Sequence, residues 1–136
     1  MTTANIKATI SCDVHKVMEA ILAVERYPAW RSGVSKIAVA GEKQYIEYTE
    51  DGYAARLKFT AVESDSRLEL ELENDHVKEH WTCVFIPGEN ESEVSISSSV
   101  SAKGLSARPV GQSVFEQSYI KKEQEQFVLD LKKYLS

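Results

Sequence analysis

The chain has 136 residues and a mass of 15.3 kDa, which suits one domain over residues 1–136 and leaves no room for a second. Its balance is ordinary for a water-facing fold: 43% hydrophobic residues and 27% charged ones. The 16 Lys and Arg against 21 Asp and Glu give a net charge of −5, which argues against nucleic acid or an anionic membrane as a general partner.

No apolar run approaches the roughly 18 residues of a membrane span, so no integral membrane segment is expected. The N-terminal MTTANIKATI has neither a basic region nor an apolar stretch, so no secretory signal is expected and a cytoplasmic location follows. Cys12 and Cys83 form no C-x-x-C pair, and in a reducing compartment they read as free, small core residues.

Taken in order, Ile6–Ser11 alternates as a first strand. Val14, Val17, Met18, Ile21 and Leu22 then follow helical spacing, with Asp13 placed as the N-cap. Pro28 is expected to end this helix, and Ala29–Gly33 to form a second short helical turn.

From Ser35 to Ala102 the period is two, giving strands at Lys36–Ala40, Gln44–Glu50, Tyr53–Glu63, Arg67–Asn74, His76–Ile86 and Glu93–Ala102. Asp51-Gly52 signals a two-residue hairpin, which sets Tyr48 opposite Ala55 and Ile46 opposite Leu57. A turn at Asp65-Ser66 sets Phe59 against Leu72. One at Asn74-Asp75 sets Leu72 against Val77 and Leu68 against Trp81. A loop near Glu89-Asn90 sets Phe85 against Val94 and Cys83 against Ile96. These registers share one apolar face; Arg56, Lys58, Glu69, Glu71, Glu73, Lys78, Ser95, Ser97 and Ser99 occupy the other. Lys103–Gly111 reads as a loop, and about Gln112 to Leu135 as a long amphipathic helix.

The expected fold is α+β, a seven-stranded curved antiparallel sheet wrapped on the C-terminal helix. Its order resembles the helix-grip fold of the START-related, Bet v 1-like superfamily (SRPBCC). Val24-Glu25-Arg26-Tyr27-Pro28-Ala29-Trp30 is similar to the D-V-E-x-Y-P-x-W signature of its bacterial polyketide cyclase/dehydrase and lipid-transport-like branch. The chain departs from that pattern at Met18, Ala23 and Arg31, the last standing where a proline is common. Tyr27, Pro28 and Trp30 are read as structural residues that shape the turn and plug a sheet edge.

His76-Val77-Lys78-Glu79-His80 matches H-x-x-E-H, a zinc pattern on a helix. On a strand the two histidines stand about 13 Å apart and cannot share an ion. His15 reads as a solvated surface histidine. No phosphate-binding glycine loop or nucleophile elbow occurs, and no cofactor is implied.

Glu79 is the informative residue, because its register puts a carboxylate on the apolar face beside Leu70 and Val100. It reads either as a carboxylate at the wet rim of the sheet, a few residues past the Asn74-Asp75 turn, or as a ligand-contacting or proton-transferring group with a raised pKa. The helix adds a second anomaly: Lys121–Gln126 contains no apolar residue, so one inward turn must offer Glu123 or Gln124. A cavity holding water or a polar ligand group would satisfy them, as would a rotation toward solvent.

The resemblance implies a small hydrophobic ligand between sheet and helix: a lipid, isoprenoid, polyketide or aromatic metabolite. The expected walls are Tyr48, Leu57, Phe59, Leu70, Trp81, Phe115, Tyr119 and Phe127, with Glu79 as polar anchor. Two other readings stand beside it. One is a cyclase/dehydratase-type enzyme using Glu79 as acid/base with a tyrosine donor. The other is a protein-interaction module of stress or chaperone type. Oligomeric state has no signal in the sequence.

Overall fold

Alternation of apolar and polar residues produces seven strands, and the computed structural model, which describes residues 2–103 and 117–136, joins them in one antiparallel sheet. In chain order these are β1 (Thr2–Ile10), α1 (Val14–Leu22), a 3-10 turn at Val24–Arg26, α2 (Tyr27–Trp30) and β2 (Lys36–Gly41). There follow β3 (Gln44–Tyr48), β4 (Ala54–Glu63), β5 (Arg67–Glu73), β6 (Val77–Pro87), β7 (Ser92–Ala102) and α3 (Gln117–Leu135). The sheet order is β1-β7-β6-β5-β4-β3-β2. Thus β2 to β7 form a meander and β1 closes onto β7, while α3 lies across the inner face beside β1. Among the described residues no helix is long and apolar enough to cross a membrane.

The first helix and its cap are as expected, but the second short helix is Tyr27–Trp30 rather than Ala29–Gly33, and the expected loop to Gly111 and helix start near Gln112 lie outside the described residues. Asp13 caps α1 by accepting from the Lys16 N–H at 3.1 Å. Pro28 does not end that helix. α1 already stops at Leu22, and Pro28 instead opens α2, where a missing N–H costs nothing. Tyr27 is fully buried, and its hydroxyl donates to the Ile21 carbonyl. Trp30 packs edge-on to Tyr27 and Phe127 and stacks on Tyr134 at 5.3 Å, so its ring contacts join α2 to α3.

The registers divide into hits and slips. Phe85 faces Val94 and Cys83 faces Ile96, as expected. β5 and β6 are offset by two from the expected pairing, so Leu72 faces Glu79 and Leu70 faces Trp81. Asn74 lengthens that turn by accepting the N–H groups of both His76 and Val77. β4 and β5 pair Phe59 with Leu70, after a bulge between Phe59 and Ala61. Offsets of two leave the faces unchanged.

The β3–β4 hairpin slips by one, and that changes the face. Its loop has three residues rather than two: Thr49 pairs with Tyr53, and Gly52 takes the left-handed conformation at φ +86°. Tyr45 therefore faces Leu57, and Tyr48 faces Ala54. Tyr48 lies on the outer face, under the Lys36 ammonium, and is not a wall of the interior.

The apolar interior is divided. A large cluster includes Ile10, Val17, Ile21, Leu57, Leu70, Trp81, Ile96, Phe127 and Leu131; a small one holds Ala4, Val100 and Ile120. Between them, β6, β7 and α3 each place polar residues: Glu79 separates Val77 from Trp81, Ser98 separates Ile96 from Val100, and Glu123-Gln124 separate Ile120 from Phe127.

One side chain fixes α3 to the loop after α2. The buried Asp130 carboxylate accepts from the Ser32 N–H at 2.8 Å, the Ser32 hydroxyl at 2.9 Å and Gln126 Nε2 at 2.8 Å. Asp130→Ala removes those three charge-assisted hydrogen bonds and should cost about 1–3 kcal/mol in urea unfolding. Both cysteines are free, and burial pushes the Cys83 thiol up to about 12. Iodoacetamide should therefore label half-buried Cys12 in the native protein and Cys83 only after unfolding.

Candidate functional site

The polar layer between the two apolar clusters is the candidate site. Glu79 enters it from β6, opposite Leu72 and Val100 rather than the expected Leu70 and Val100. Glu123 enters from α3, and the two carboxyls meet closely enough to share a hydrogen bond. Loss of hydration, then the charge of Glu123, push Glu79 up to about 9. Desolvation also raises Glu123, while the hydrogen bond from Glu79 works in the opposite direction. The arrangement is a carboxyl pair that holds on to a proton, with the larger upward push falling on Glu79. The two groups titrate as one system.

Two charges from the next layer bear on the pair. Arg31 Nη1 donates to Glu47 Oε2 at 3.0 Å, with the two side chains only 16% and 13% exposed. The Arg31 guanidinium also lies 5.0 Å from the Tyr27 ring centre and 5.4 Å from that of Phe127. Glu47 raises the Glu79 carboxyl and Arg31 lowers it. Since Glu47 already engages Arg31, that guanidinium cannot fully neutralise the pair.

Several polar atoms in this region are sealed from solvent and have no partner among the described residues: Trp81 Nε1, Trp30 Nε1, Arg31 Nε, Glu123 Oε1 and Gln124 Oε1. Gln124 is wholly buried, and its Nε2 donates to the Ala4 carbonyl and the Ser98 hydroxyl, both at 2.9 Å. An open cleft of about 440 Å³ leads toward this layer; Arg31, Glu47, Tyr119, Glu123, Phe127 and Asp130 are among its walls.

The expected walls sort into groups. Leu57, Phe59, Leu70, Trp81 and Phe127 are buried together in the large cluster. Tyr119 stands half out of the protein at the cleft, near enough to Glu123 and Glu79 for their charges to raise its phenol, after desolvation. Tyr48 is on the other face, and Phe115 lies outside the described residues. Sequence reasoning missed Arg31 as a site residue, and Glu47 altogether. A three-residue loop ending in Gly52 was the signal for Glu47, since it turns Tyr45 and Glu47 inward.

The H-x-x-E-H residues are split by the strand, with Glu79 inward and His80 outward, 3.0 Å from Glu69. Among the described residues no group of His, Cys, Asp and Glu could hold a metal. His15, expected to be solvated without a partner, lies 3.2 Å from Asp65 and 3.6 Å from Glu19 while remaining exposed.

The sign of the linkage follows from the raised carboxyl. Below the unfolded value of about 4.3 both states hold the Glu79 proton, and the group costs nothing. As pH rises the unfolded chain releases its proton first, so stability falls until the folded group ionises near 9. Urea unfolding between pH 4 and 9 should show this decline. Glu79→Gln should flatten it and stabilise the protein by about 1 kcal/mol or more at the alkaline end.

No protein-family model matches the sequence, and no curated protein matches it. Solved structures do match the fold. A START superfamily protein from Mycobacterium smegmatis has a TM-score of 0.84 at 14% identity, over 99% of this chain and 97% of that one. Ara h 8.0201 has a TM-score of 0.72 at 14% identity, over 98% and 96%. The di-domain ARO/CYC BexL, from the BE-7585A biosynthetic pathway, has 0.75 at 12% identity, over 98% of this chain and 46% of its own. At such identities the likeness is one of fold: the chain has the helix-grip α+β fold of START and Bet v 1-like structures.

Proposed function

We propose that this protein binds a small, largely apolar molecule between the sheet and α3, with the Glu79–Glu123 pair as polar contact at its inner end. The observation that carries this reading is the pair itself, set with an unpartnered Glu123 oxygen between apolar clusters. A core built for packing alone gains nothing from desolvating two carboxyls, and replacing them with apolar groups would stabilise it. The cleft beside Tyr119 and Phe127 offers a route in. Leu57, Phe59, Leu70 and Trp81 supply apolar wall, suited to a lipid, isoprenoid, polyketide or aromatic metabolite. The free thiols fit a reducing, cytoplasmic setting.

A second reading has its own support. A carboxyl that keeps its proton at neutral pH can act as a general acid, and Tyr119 stands within electrostatic reach of it as a hydrogen-bond donor. This is chemistry of the cyclase/dehydratase type, and BexL shares the fold. In that case Glu79→Gln retains the bound molecule and abolishes its conversion.

Native mass spectrometry and titration with the neutral apolar dye Nile red test the first reading. One small molecule or one dye per chain is expected, with binding weakened by Phe127→Asp in a variant that still unfolds cooperatively. A bare chain that also takes up no dye would overturn it.

A further inference from the structure

The buried end of the site carries a donor and an acceptor as well as the carboxyl pair. Trp81 is 5% exposed and Gln124 0%, and each keeps one polar atom unpartnered among the described residues. They share a neighbourhood. Ser98, which accepts from Gln124 Nε2, is the residue paired with Trp81 across the β6–β7 ladder. The Trp81 ring is edge-on to Phe127 at 5.7 Å, one helical turn beyond Gln124.

The amide orientation is settled chemically. The Ala4 carbonyl can only accept, so the nitrogen of Gln124 must face it and the oxygen must face elsewhere. A single hydroxyl can accept from an indole N–H and donate to an amide oxygen. Neither a hydrocarbon nor a carboxylate can do both.

Charge adds a second selection. Glu79 lies two residues from Trp81 on the same face, with Glu123 against it and Glu47 in the next layer. Arg31, the cation bearing on the pair among the described residues, is already engaged by Glu47. An anionic ligand group would meet uncompensated carboxyl charge where water does not screen it.

We propose that the ligand presents a neutral hydroxyl, of an alcohol or phenol, to Trp81 Nε1 and Gln124 Oε1, and that the Glu79–Glu123 pair excludes carboxylates. This rests on the binding reading above and narrows it: free fatty acids are rejected, while hydroxylated isoprenoids or aromatics are accepted.

The test is a calorimetric series at neutral pH on the whole chain, with naphthol, naphthoate and methylnaphthalene, and with decanol against decanoate to separate phenols from alcohols. At least one of naphthol and decanol should bind about tenfold or more tighter than its carboxylate counterpart, and naphthol tighter than methylnaphthalene if phenols are accepted. In nitrogen-edited NMR the indole N–H of Trp81, assigned with Trp30→Phe, should move on binding the hydroxyl probe and stay with methylnaphthalene. The Glu79→Gln, Glu123→Gln double variant should recover most of the lost carboxylate affinity.

Equal affinity for hydroxyl, carboxylate and hydrocarbon probes would overturn the selectivity while leaving apolar binding intact. A Trp81 indole signal indifferent to the hydroxyl would do the same, assigning both atoms to a resident water. Failure of every probe to bind would remove the binding reading with it.

Discussion

Two carboxyl groups facing each other inside an apolar fold set the terms for the rest of this structure. Glu79 and Glu123 cannot both ionise cheaply at such range, so one proton stays between them, and burial makes this more pronounced. The surrounding elements accommodate that pair rather than cover it. Ser98 and Gln124 extend it sideways into a polar layer, and the apolar core is split into a large and a small cluster on either side. Two desolvated carboxyls are a costlier filling for an interior than apolar side chains of similar volume.

The layer is held from its open side by contacts of a different kind. Asp130 ties α3 to the backbone and hydroxyl of Ser32, so the loop after α2 and the helix keep a fixed separation at the cleft. Arg31, the next residue toward α2, spans to Glu47 on β3 and rests against Tyr27 and Phe127. Its engagement by Glu47 adds to desolvation and mutual charge, the larger causes of the raised carboxyls. Arg31 thus places a charge beside the interior pair and shapes its electrostatics.

Much of this was legible in the sequence, for physical reasons that also explain the failures. Period-two alternation fixes which face a residue occupies, so an offset of two in β5 against β6 still leaves Glu79 inward. The apolar gap at Lys121–Gln126 marked a turn of α3 that either buries polar groups or rotates them to solvent, and in the structure Gln124 is buried with Ala4 and Ser98 as partners of its nitrogen. Turn lengths were the weak point. Asp51-Gly52 reads as a two-residue hairpin, yet Gly52 closes a three-residue loop, and that single residue exchanges Tyr48 for Tyr45 and Glu47 on the inner face. Arg31 was invisible as a site residue because its partner lay on the strand whose face had been reversed.

The central claim is that Glu79 and Glu123 share one proton in the folded protein at neutral pH. A carbon-detected NMR titration following both side-chain carboxyls tests it directly. The account predicts that the Glu79 carbon keeps its protonated shift through neutrality and moves toward the ionised value only near pH 9, with Glu123 responding to the same event. Two independent titrations, each centred near the ordinary glutamate value of about 4.3, would contradict it.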